Sequence, residues 1–249
     1  LVRQDWPEPG KARVVIAETP EDVVACAQSV YIPVSVLDIL RELEPGKRYV
    51  MSCLPDQAAA LRRMQLGGFA AARRVRYVVG PYTGTALEPA AIRAFLDSMG
   101  VAPDDRVEAL RWREGEWPGY LEIRTVAGKV LRSPKVYYNY LIPFFISQAS
   151  LQSMDFANEY ADLSVGDAWS PQYESRGGGY AVFLSRSGDM ETILQEMIAA
   201  GRLEAAEARP EAASEMHGHM IDFKKRGSYI RNRLRRRLGL GAPDWGVRP

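Results

Sequence analysis

Two aspartates and a glycine in the C-terminal half have the chemistry of a polar ligand site. Asp162 and Gly166-Asp167 are close enough in sequence for a strand and a turn to bring both carboxylates and a glycine backbone to one edge of a pocket. Glycine allows a ring or a diphosphate to approach the backbone, and carboxylates accept hydrogen bonds from hydroxyl and ring N–H groups. The alternative interpretation is an Asx turn that carries solvated acids.

Two further turns place hydrogen-bonding groups beside predicted helices. Ser29 and Tyr31 stand before Pro33 in a polar turn, where exposed N–H groups and a hydroxyl suit a phosphate or a ring carbonyl, although helix capping is the alternative. Pro55-Asp56-Gln57 lies between a predicted buried strand and an alanine-rich helix, where ligands of α/β sheets meet helix N-terminal amides. Asp56 is equally well explained as an N-cap residue, and a carboxylate there would repel a phosphate.

Two basic residues complete the set of candidate binding residues. Lys135 precedes Tyr137-Tyr138-Asn139, and aromatic faces beside a lysine can stack on or neutralise a planar anionic cofactor. The same cluster is equally typical of an ordinary strand face. Arg186 ends a predicted strand, where its guanidinium can pair bidentately with a diphosphate or with a carboxylate of its own domain.

The histidines give no metal or catalytic site. His217 and His219 have only Glu215 as a nearby third ligand, so we expect a surface segment there. The sequence contains no nucleophile elbow, no Walker loop and no complete Gly-x-Gly-x-x-Gly motif. No catalytic residue is therefore assigned, and no metal is expected.

Residues 224–237 contain eight Lys or Arg and no acid. Such a run can bind nucleic acid or an acidic partner. Ile230, Leu234 and Leu238 form one apolar stripe at helical spacing, however, which indicates a docking helix whose arginines form the solvated face. We expect this arm to pack on its own domain or on a partner subunit, and nucleic acid is not expected as a partner.

The order of predicted elements is that of a layered α/β core. Strands over residues 13–17, 48–53 and 75–79 alternate with helices that begin at Pro20 and that cover residues 36–43, 57–65 and 88–99. Alternation over residues 107–130 predicts an antiparallel hairpin, so the α/β fold should contain a mixed sheet. A strand over 180–185 and a helix over 189–200 follow. We expect one α/β domain over residues 1–222 and a basic helical arm over 223–249.

Composition excludes several classes of protein. The 249 residues carry a net charge of +1, so no overall field attracts nucleic acid or membrane. No apolar run approaches the roughly 20 residues that span a bilayer, and Cys26 and Cys53 are too few for a disulfide framework. We therefore expect a soluble, cytoplasmic protein. Because the chain begins at Leu1, inside an apparent strand end, we also expect an N-terminal part outside the given sequence.

Five segments carry a resemblance to a known family: residues 28–33 (QSVYIP), 54–61 (LPDQAAAL), 80–82 (GPY), 155–169 and 179–188. The eleven residues EYADLSVGDAW, at 159–169, form the most specific match. Together these segments resemble the beta subunit family of the coenzyme F420 (8-hydroxy-5-deazaflavin) hydrogenases and dehydrogenases. These are flavoproteins, and they include a plant chlorophyll reductase.

The chain departs from this family at the cysteines that usually hold iron–sulfur clusters. Asp56 stands where the family has the cysteine of Pro-Cys-Gln, and Ser150 and Ser153 stand where it has a Cys-x-x-Cys pair. Ile146 and Thr83 lie near two more usual cysteines. Serine is a poor ligand for these clusters because they prefer soft thiolate. The iron–sulfur cluster is thus expected to be lost.

The resemblance implies an FAD-dependent oxidoreductase subunit that exchanges hydride with a deazaflavin (F420) or a nicotinamide-type coenzyme. It points to the following flavin-pocket residues: Ser29, Tyr31, Pro55, Gln57, Lys135, Asp162, Gly166, Asp167 and Arg186. It also implies a further protein subunit or a homo-oligomer as partner. The family's upstream Gly-Gly-x-Val-Thr turn, which helps to cradle flavin, would precede Leu1. The alternative function is a non-catalytic structural or recruiting subunit of a larger redox complex.

Overall fold

Residues 1–4 and 11–246 are described by a computed structural model, and they divide into two units. The first unit comprises residues 1–41 and 85–150, and the second comprises residues 42–84 and 151–249. Each unit is therefore assembled from two separate stretches of the chain. The C-terminal arm expected over residues 223–249 belongs to the second unit as far as the chain is described.

The strands are short and fall into three sheets. Their bounds are β1 Val2–Gln4, β2 Ala12–Val14, β3 Tyr49–Ser52, β4 Val75–Pro81, β5 Val107–Glu114, β6 Tyr120–Thr125, β7 Val130–Pro134, β8 Leu163–Asp167 and β9 Ala181–Ser185.

The α-helices are α1 Pro20–Ala25, α2 Pro55–Leu66, α3 Ala70–Arg73, α4 Ala90–Ser98, α5 Ile142–Phe145, α6 Gln148–Gln152, α7 Pro171–Glu174, α8 Gly188–Ala199, α9 Pro210–Asp222 and α10 Ser228–Arg237. Two 3₁₀ helices cover Val36–Arg41 and Lys135–Leu141, and a π-helical turn over Phe223–Gly227 joins α9 to α10.

The first unit is built on an antiparallel sheet in the order β5-β6-β7, with β1 and β2 paired separately. Leu110 and Trp112 of β5 and Leu121 and Ile123 of β6 are buried apolar residues that share one face within each strand, because strand side chains alternate between faces. These residues pack with the apolar face of α4 into a core that includes Phe95, Trp112, Ile123 and Tyr138. The predicted hairpin is confirmed, and β7 extends it to three strands.

The second unit contains a mixed sheet in the order β3-β4-β8-β9. β3, β4 and β8 are parallel, whereas β9 runs antiparallel to β8. Helix α2 connects the first two strands, as expected for a parallel pair, which needs a crossover connection. The predicted mixed α/β fold is confirmed, and β9 supplies the antiparallel strand of this sheet.

Local sequence accounts for most helix starts. Thr19 Oγ1 accepts a hydrogen bond from the Asp22 N–H, and the Asp22 carboxylate accepts one from the Thr19 N–H, which forms a capping box ahead of Pro20. Helix α2 begins two residues earlier than predicted because Pro55 occupies its first position, where a missing N–H is harmless.

The C-terminal helix α10 is oriented opposite to the sequence prediction. Ile230, Leu234 and Leu238, expected to pack, are 56%, 56% and 65% exposed. Ser228 and Asn232, on another face of the same helix, are buried instead. The reason is hydrogen bonding: both side chains donate to backbone carbonyls at residues 151–153, which need donors when buried.

Candidate functional site

The carboxyl ends of the three parallel strands of the second unit define one sheet edge. Ser52 at the end of β3 is paired with Val79, and Pro81 at the end of β4 is paired with Val165. The loop to Pro55, the loop at Tyr82 and the end of β8 at Asp167 therefore lie along this edge. Open α/β sheets bind ligands outside the carboxyl ends of their strands. Three of the five family-like segments thus meet at a position typical of ligand sites.

Gln57 binds a backbone N–H group at the start of helix α2, which lies at this edge. Its side-chain oxygen accepts a hydrogen bond from the Leu54 N–H at 2.8 Å, while Leu54 itself is the N-cap residue. The interpretation of Asp56 as the N-cap was therefore wrong, since Asp56 lies within the first turn and is exposed. A carboxylate in the first turn interacts favourably with the helix dipole, but it lowers the affinity of this helix start for phosphate.

Two glycines at the same edge are required by packing within the protein. A Cβ atom on Gly166 would overlap the ring of Tyr82, and one on Gly80 would overlap the Asn158 amide and the Cys53 carbonyl. Asn158 Nδ2 donates to that carbonyl at 2.8 Å. The missing side chains of Gly80 and Gly166 therefore admit Asn158 and Tyr82, which fill the space beside the strand ends.

Asp162 lies at the opposite end of β8 from Asp167. They are five residue steps apart along the strand, which corresponds to about 16 Å. The expectation that both carboxylates share one pocket edge was therefore wrong, because residues 163–167 form a continuous strand rather than a turn. Asp162 Oδ2 accepts hydrogen bonds from Arg62 Nη2 and from the Val78 N–H, both at 2.7 Å. This carboxylate ties α2 and β4 to the start of β8.

Arg186, predicted to face a diphosphate, contacts groups of its own unit. Its Nη1 donates to Ser164 Oγ at 2.6 Å and its Nη2 to the Ala157 carbonyl at 3.1 Å. The guanidinium thereby joins the end of β9 to the segment before β8. A guanidinium group carries five N–H donors. These contacts use two of them, so Arg186 has donors for a further acceptor.

His217 is a buried residue of the second unit, and the prediction of a surface segment was wrong at this position. Its side chain is 4% exposed and packs against the rings of Tyr82 and Phe156, with centroid distances of 5.3 and 5.2 Å. Burial lowers the pKa of the imidazole, and the backbone carbonyl of Asp167 partly opposes this effect. His219 is exposed, as expected. The aromatic neighbours of His217 come from distant segments, which histidine spacing does not reveal.

Lys224 is likewise buried, at 2% exposed, although the basic run was predicted to be solvated. Burial lowers the pKa of its ammonium to about 8, while the carboxylates of Asp56 and Asp155 act in the opposite direction. Burial also raises the pKa of Asp155. A stripe of polar residues at helical spacing was the sequence signal that could have predicted this buried face. The stripe consists of His217, Lys224, Ser228 and Asn232.

The donor set of the second unit does not fit an iron–sulfur cluster. The Ser153 hydroxyl accepts a hydrogen bond from the Asp155 N–H, and Asp56 and Asp155 supply hard oxygen atoms where soft thiolate is needed. Cys53 is buried, and burial raises the pKa of its thiol to about 12, which opposes the thiolate form. Among the described residues, no group of three His, Cys, Asp or Glu side chains can hold a metal ion.

Three of the predicted binding residues belong to the first unit. Ser29 is exposed and lines a cavity of about 650 Å³. Tyr31 is half-buried, its hydroxyl accepts a hydrogen bond from Arg113 Nη2 at 3.2 Å, and its ring packs against Trp112. Lys135 is the first residue of a 3₁₀ helix, and its side chain lies outside the described part of the structure.

The cavity of the first unit is lined by arginines that the sequence analysis did not single out. Arg3 and Arg13 face each other across the β1–β2 pair, and Arg111 lies on β5, where its Nη1 forms an ion pair with Glu114 at 2.9 Å. Like charges directly opposite each other in a sheet repel. Glu108 is the one acidic side chain of the described lining. The cavity therefore has a positively charged lining with the chemistry of an anion site.

Comparison with known proteins identifies the family of this chain. Residues 46–211 match the family model that describes the C terminus of the beta subunit of coenzyme F420 hydrogenase/dehydrogenase. The fold is similar to a chain of the F420-reducing [NiFe] hydrogenase complex from Methanosarcina barkeri, with a TM-score of 0.69 and 18% sequence identity. That likeness covers 98% of this chain and 82% of the hydrogenase chain. No curated protein sequence matches significantly.

The family match covers more than half of the chain, including the parallel strands, the sheet edge and the segment 159–169. Within the described ranges, no helix is both long and apolar enough to cross a membrane. The chain therefore belongs to the coenzyme F420 hydrogenase/dehydrogenase beta subunit family.

Proposed function

We propose that the protein is an FAD-dependent redox subunit that exchanges hydride with a deazaflavin (F420) or a nicotinamide-type coenzyme. The observation that carries this proposal is the arginine-lined cavity of the first unit. Its volume of about 650 Å³ lies within the range of about 300–1,000 Å³ found for small-molecule pockets. Family membership and the F420-reducing activity named for the similar hydrogenase complex add support.

The residues of this cavity fit the anionic part of FAD. Arg3, Arg13 and Arg111 would pair with the diphosphate, since guanidinium groups make strong charge-assisted hydrogen bonds to phosphate. Ser29, which lies in the same lining, would donate its hydroxyl. Leu110 and Trp112, which are buried, contribute apolar atoms to the wall. FAD, when bound, supplies the hydride chemistry, and these side chains bind and orient it.

The predicted binding residues of the second unit stay predictions for a coenzyme site of that unit. Pro55, Gly166 and Asp167 lie along the carboxyl edge of the parallel strands, and Gln57 orders the helix start there. Asp162 and Arg186 act through contacts within their unit. Because the donor set does not fit a cluster, direct hydride exchange agrees with this site better than one-electron transfer through iron.

The test is a titration of the purified protein with FAD under anaerobic conditions, followed by reduced F420 or NADH. We expect FAD to bind, and reduced coenzyme to bleach the flavin absorbance. Arg3→Ala with Arg13→Ala should weaken FAD binding about a hundredfold or more, because two arginines are removed and hydrogen bonds to charged groups contribute about 1.5–3 kcal/mol each. Arg41→Ala removes an exposed arginine of the same unit outside the cavity, so it serves as the control.

A non-catalytic recruiting subunit is the second candidate function. The observation that favours it is that Gly80 and Gly166 make room for Asn158 and Tyr82 at the sheet edge. A colourless protein that binds no FAD, yet assembles with a redox partner, would replace the first proposal by this one. FAD binding without bleaching by either coenzyme would leave the flavoprotein but reject both proposed hydride donors.

A further inference from the structure

Helix α10 presents two faces of opposite character. Its polar face is buried, whereas Ile230, Leu234 and the C-cap residue Leu238 form an apolar row that is more than half exposed at each position. We call this row the apolar stripe of α10. Soluble proteins bury such rows in most helices, and a contiguous exposed apolar patch marks an interaction site.

Hydrogen bonds fix the rotation of α10 about its axis. Ser228 Oγ lies 2.9 and 2.8 Å from the carbonyls of Leu151 and Ser153 and shares its one O–H proton between them, and Asn232 Nδ2 donates to the Gln152 carbonyl at 2.9 Å. Arg231 Nε also donates to the Leu151 carbonyl, at 3.0 Å. Turning the stripe inward would break these buried contacts, each of which would leave unsatisfied polar groups. The stripe is thus held outward by the docking of the opposite face.

The charges around the stripe restrict what can cover it. Residues 223–243 contain no Asp or Glu, and Arg233 and Arg237 are exposed one helical turn apart beside the stripe. A second copy of α10 would bring arginines against arginines, which is repulsive. A surface that combines leucines with carboxylates satisfies both the apolar row and its basic edge.

We propose that the apolar stripe of α10 is the docking surface for an acidic amphipathic segment of a partner protein. The partner's apolar side chains would cover Ile230, Leu234 and Leu238, and its carboxylates would pair with Arg233 and Arg237. Helix-in-groove recognition uses anchors at this spacing. This inference is independent of flavin binding, because α10 belongs to the second unit and the arginine-lined cavity to the first.

The experiment measures binding of a fluorescent amphipathic helical peptide with leucine on one face and glutamate on the other to the full chain. Leu234→Gln should weaken binding about tenfold or more, because one buried aliphatic anchor contributes about that factor. Arg233→Glu with Arg237→Glu should weaken it further, and added salt should no longer weaken the remaining binding, because salt screens the new repulsion. Leu66→Gln is the matched control, since Leu66 is 87% exposed in the same unit but lies outside α10.

Folding does not confound these variants, because Leu234 is exposed and its replacement should leave the melting temperature within a degree or two of the wild type. A peptide in which lysine replaces glutamate should not bind. The proposal is overturned if Leu234→Gln and Leu66→Gln have equal effects. It is also overturned if the stripe binds only vesicles of anionic phosphatidylserine, or if wild-type protein forms a dimer that Leu234→Gln abolishes.

Discussion

Lys224 carries an ammonium group into the interior of the second unit, where 2% of the residue remains exposed. Removing a cation from water disfavours its charged form, and the Arg231 guanidinium acts in the same direction. The Asp56 and Asp155 carboxylates offset part of this penalty.

The lowered pKa of Lys224 predicts how stability depends on pH. Between about pH 8 and pH 10.5 the unfolded chain binds more protons than the folded chain, so this group makes the free energy of unfolding rise with pH. The rise is at most about 3 kcal/mol for a pKa lowered from 10.5 to about 8. Lys224→Met should lack it, as measured by urea denaturation at pH 8 and pH 10.5.

Lys225→Met provides the control for this measurement. Lys225 is the next residue in the chain, but its side chain is 45% exposed and forms an ion pair with Glu159 at the surface. The Lys225→Met variant should keep the pH profile of the wild type. Equal profiles for Lys224→Met and the wild type would contradict the burial of a titrating ammonium.

At the scale of elements, the parallel strands, their crossover helix and the antiparallel sheet follow from sequence pattern. The capping box at Thr19 and the proline at the start of α2 locate their helices because these signals act within four residues. The orientation of α10 does not follow from pattern. Its docking depends on carbonyls at residues 151–153, about 75 residues away in sequence, and apolar periodicity carries no information about them.

In the candidate site too, a local sequence motif could be recognised, whereas contacts between distant segments could not be predicted. The segment 159–169 identified the family, yet the neighbours of Asp162 and Gly166 are set by packing between elements. The arginine pair of the cavity was missed because strands as short as β1 and β2 give little alternation from which to infer that Arg3 faces Arg13.

The tight contact between β8 and the Tyr82 loop gives a prediction at this scale. Gly166→Ala should lower the free energy of unfolding by about 1–3 kcal/mol, because the added methyl group overlaps the Tyr82 ring within a packed sheet. Gly188→Ala is the control, since its Cβ has no heavy atom within 4 Å and the residue begins helix α8. Urea denaturation of both variants measures the difference.

Rescue separates this packing effect from other causes. Combining Gly166→Ala with Tyr82→Leu removes the ring that the methyl group would meet, so the double variant should be more stable than the sum of the two single effects. Strict additivity would mean that Gly166 is required for a reason other than the Tyr82 contact.

For the whole molecule, the net charge of +1 is the sum of many positive and negative charges, which are locally unbalanced. Arginines line the cavity of the first unit, and others follow one another along α10. A nearly neutral protein does not attract polyanions in general, so any anion that binds must be recognised by a local cluster. Ligands that share a diphosphate but differ elsewhere can therefore show what the cavity recognises.

Thermal stabilisation by such ligands tests the cavity assignment. A ligand that binds only the folded chain stabilises it by about 2.7 kcal/mol at a concentration of one hundred times its Kd. If Arg3, Arg13 and Arg111 hold a diphosphate, FAD and ADP should both raise the melting temperature, whereas riboflavin, which has no phosphate, should not. The stabilisation by ADP should also decrease as salt is added, because the paired charges are partly exposed.

The melting temperatures of the arginine variants, measured without and with ligand, complete this test. Arg3→Ala with Arg13→Ala replaces two exposed side chains, so the unliganded variant should melt within a few degrees of the wild type. The same variant should lose its stabilisation by FAD and by ADP, while Arg41→Ala retains both. Riboflavin that stabilises the wild type as strongly as FAD would instead place recognition on the ring and contradict a diphosphate site at these arginines.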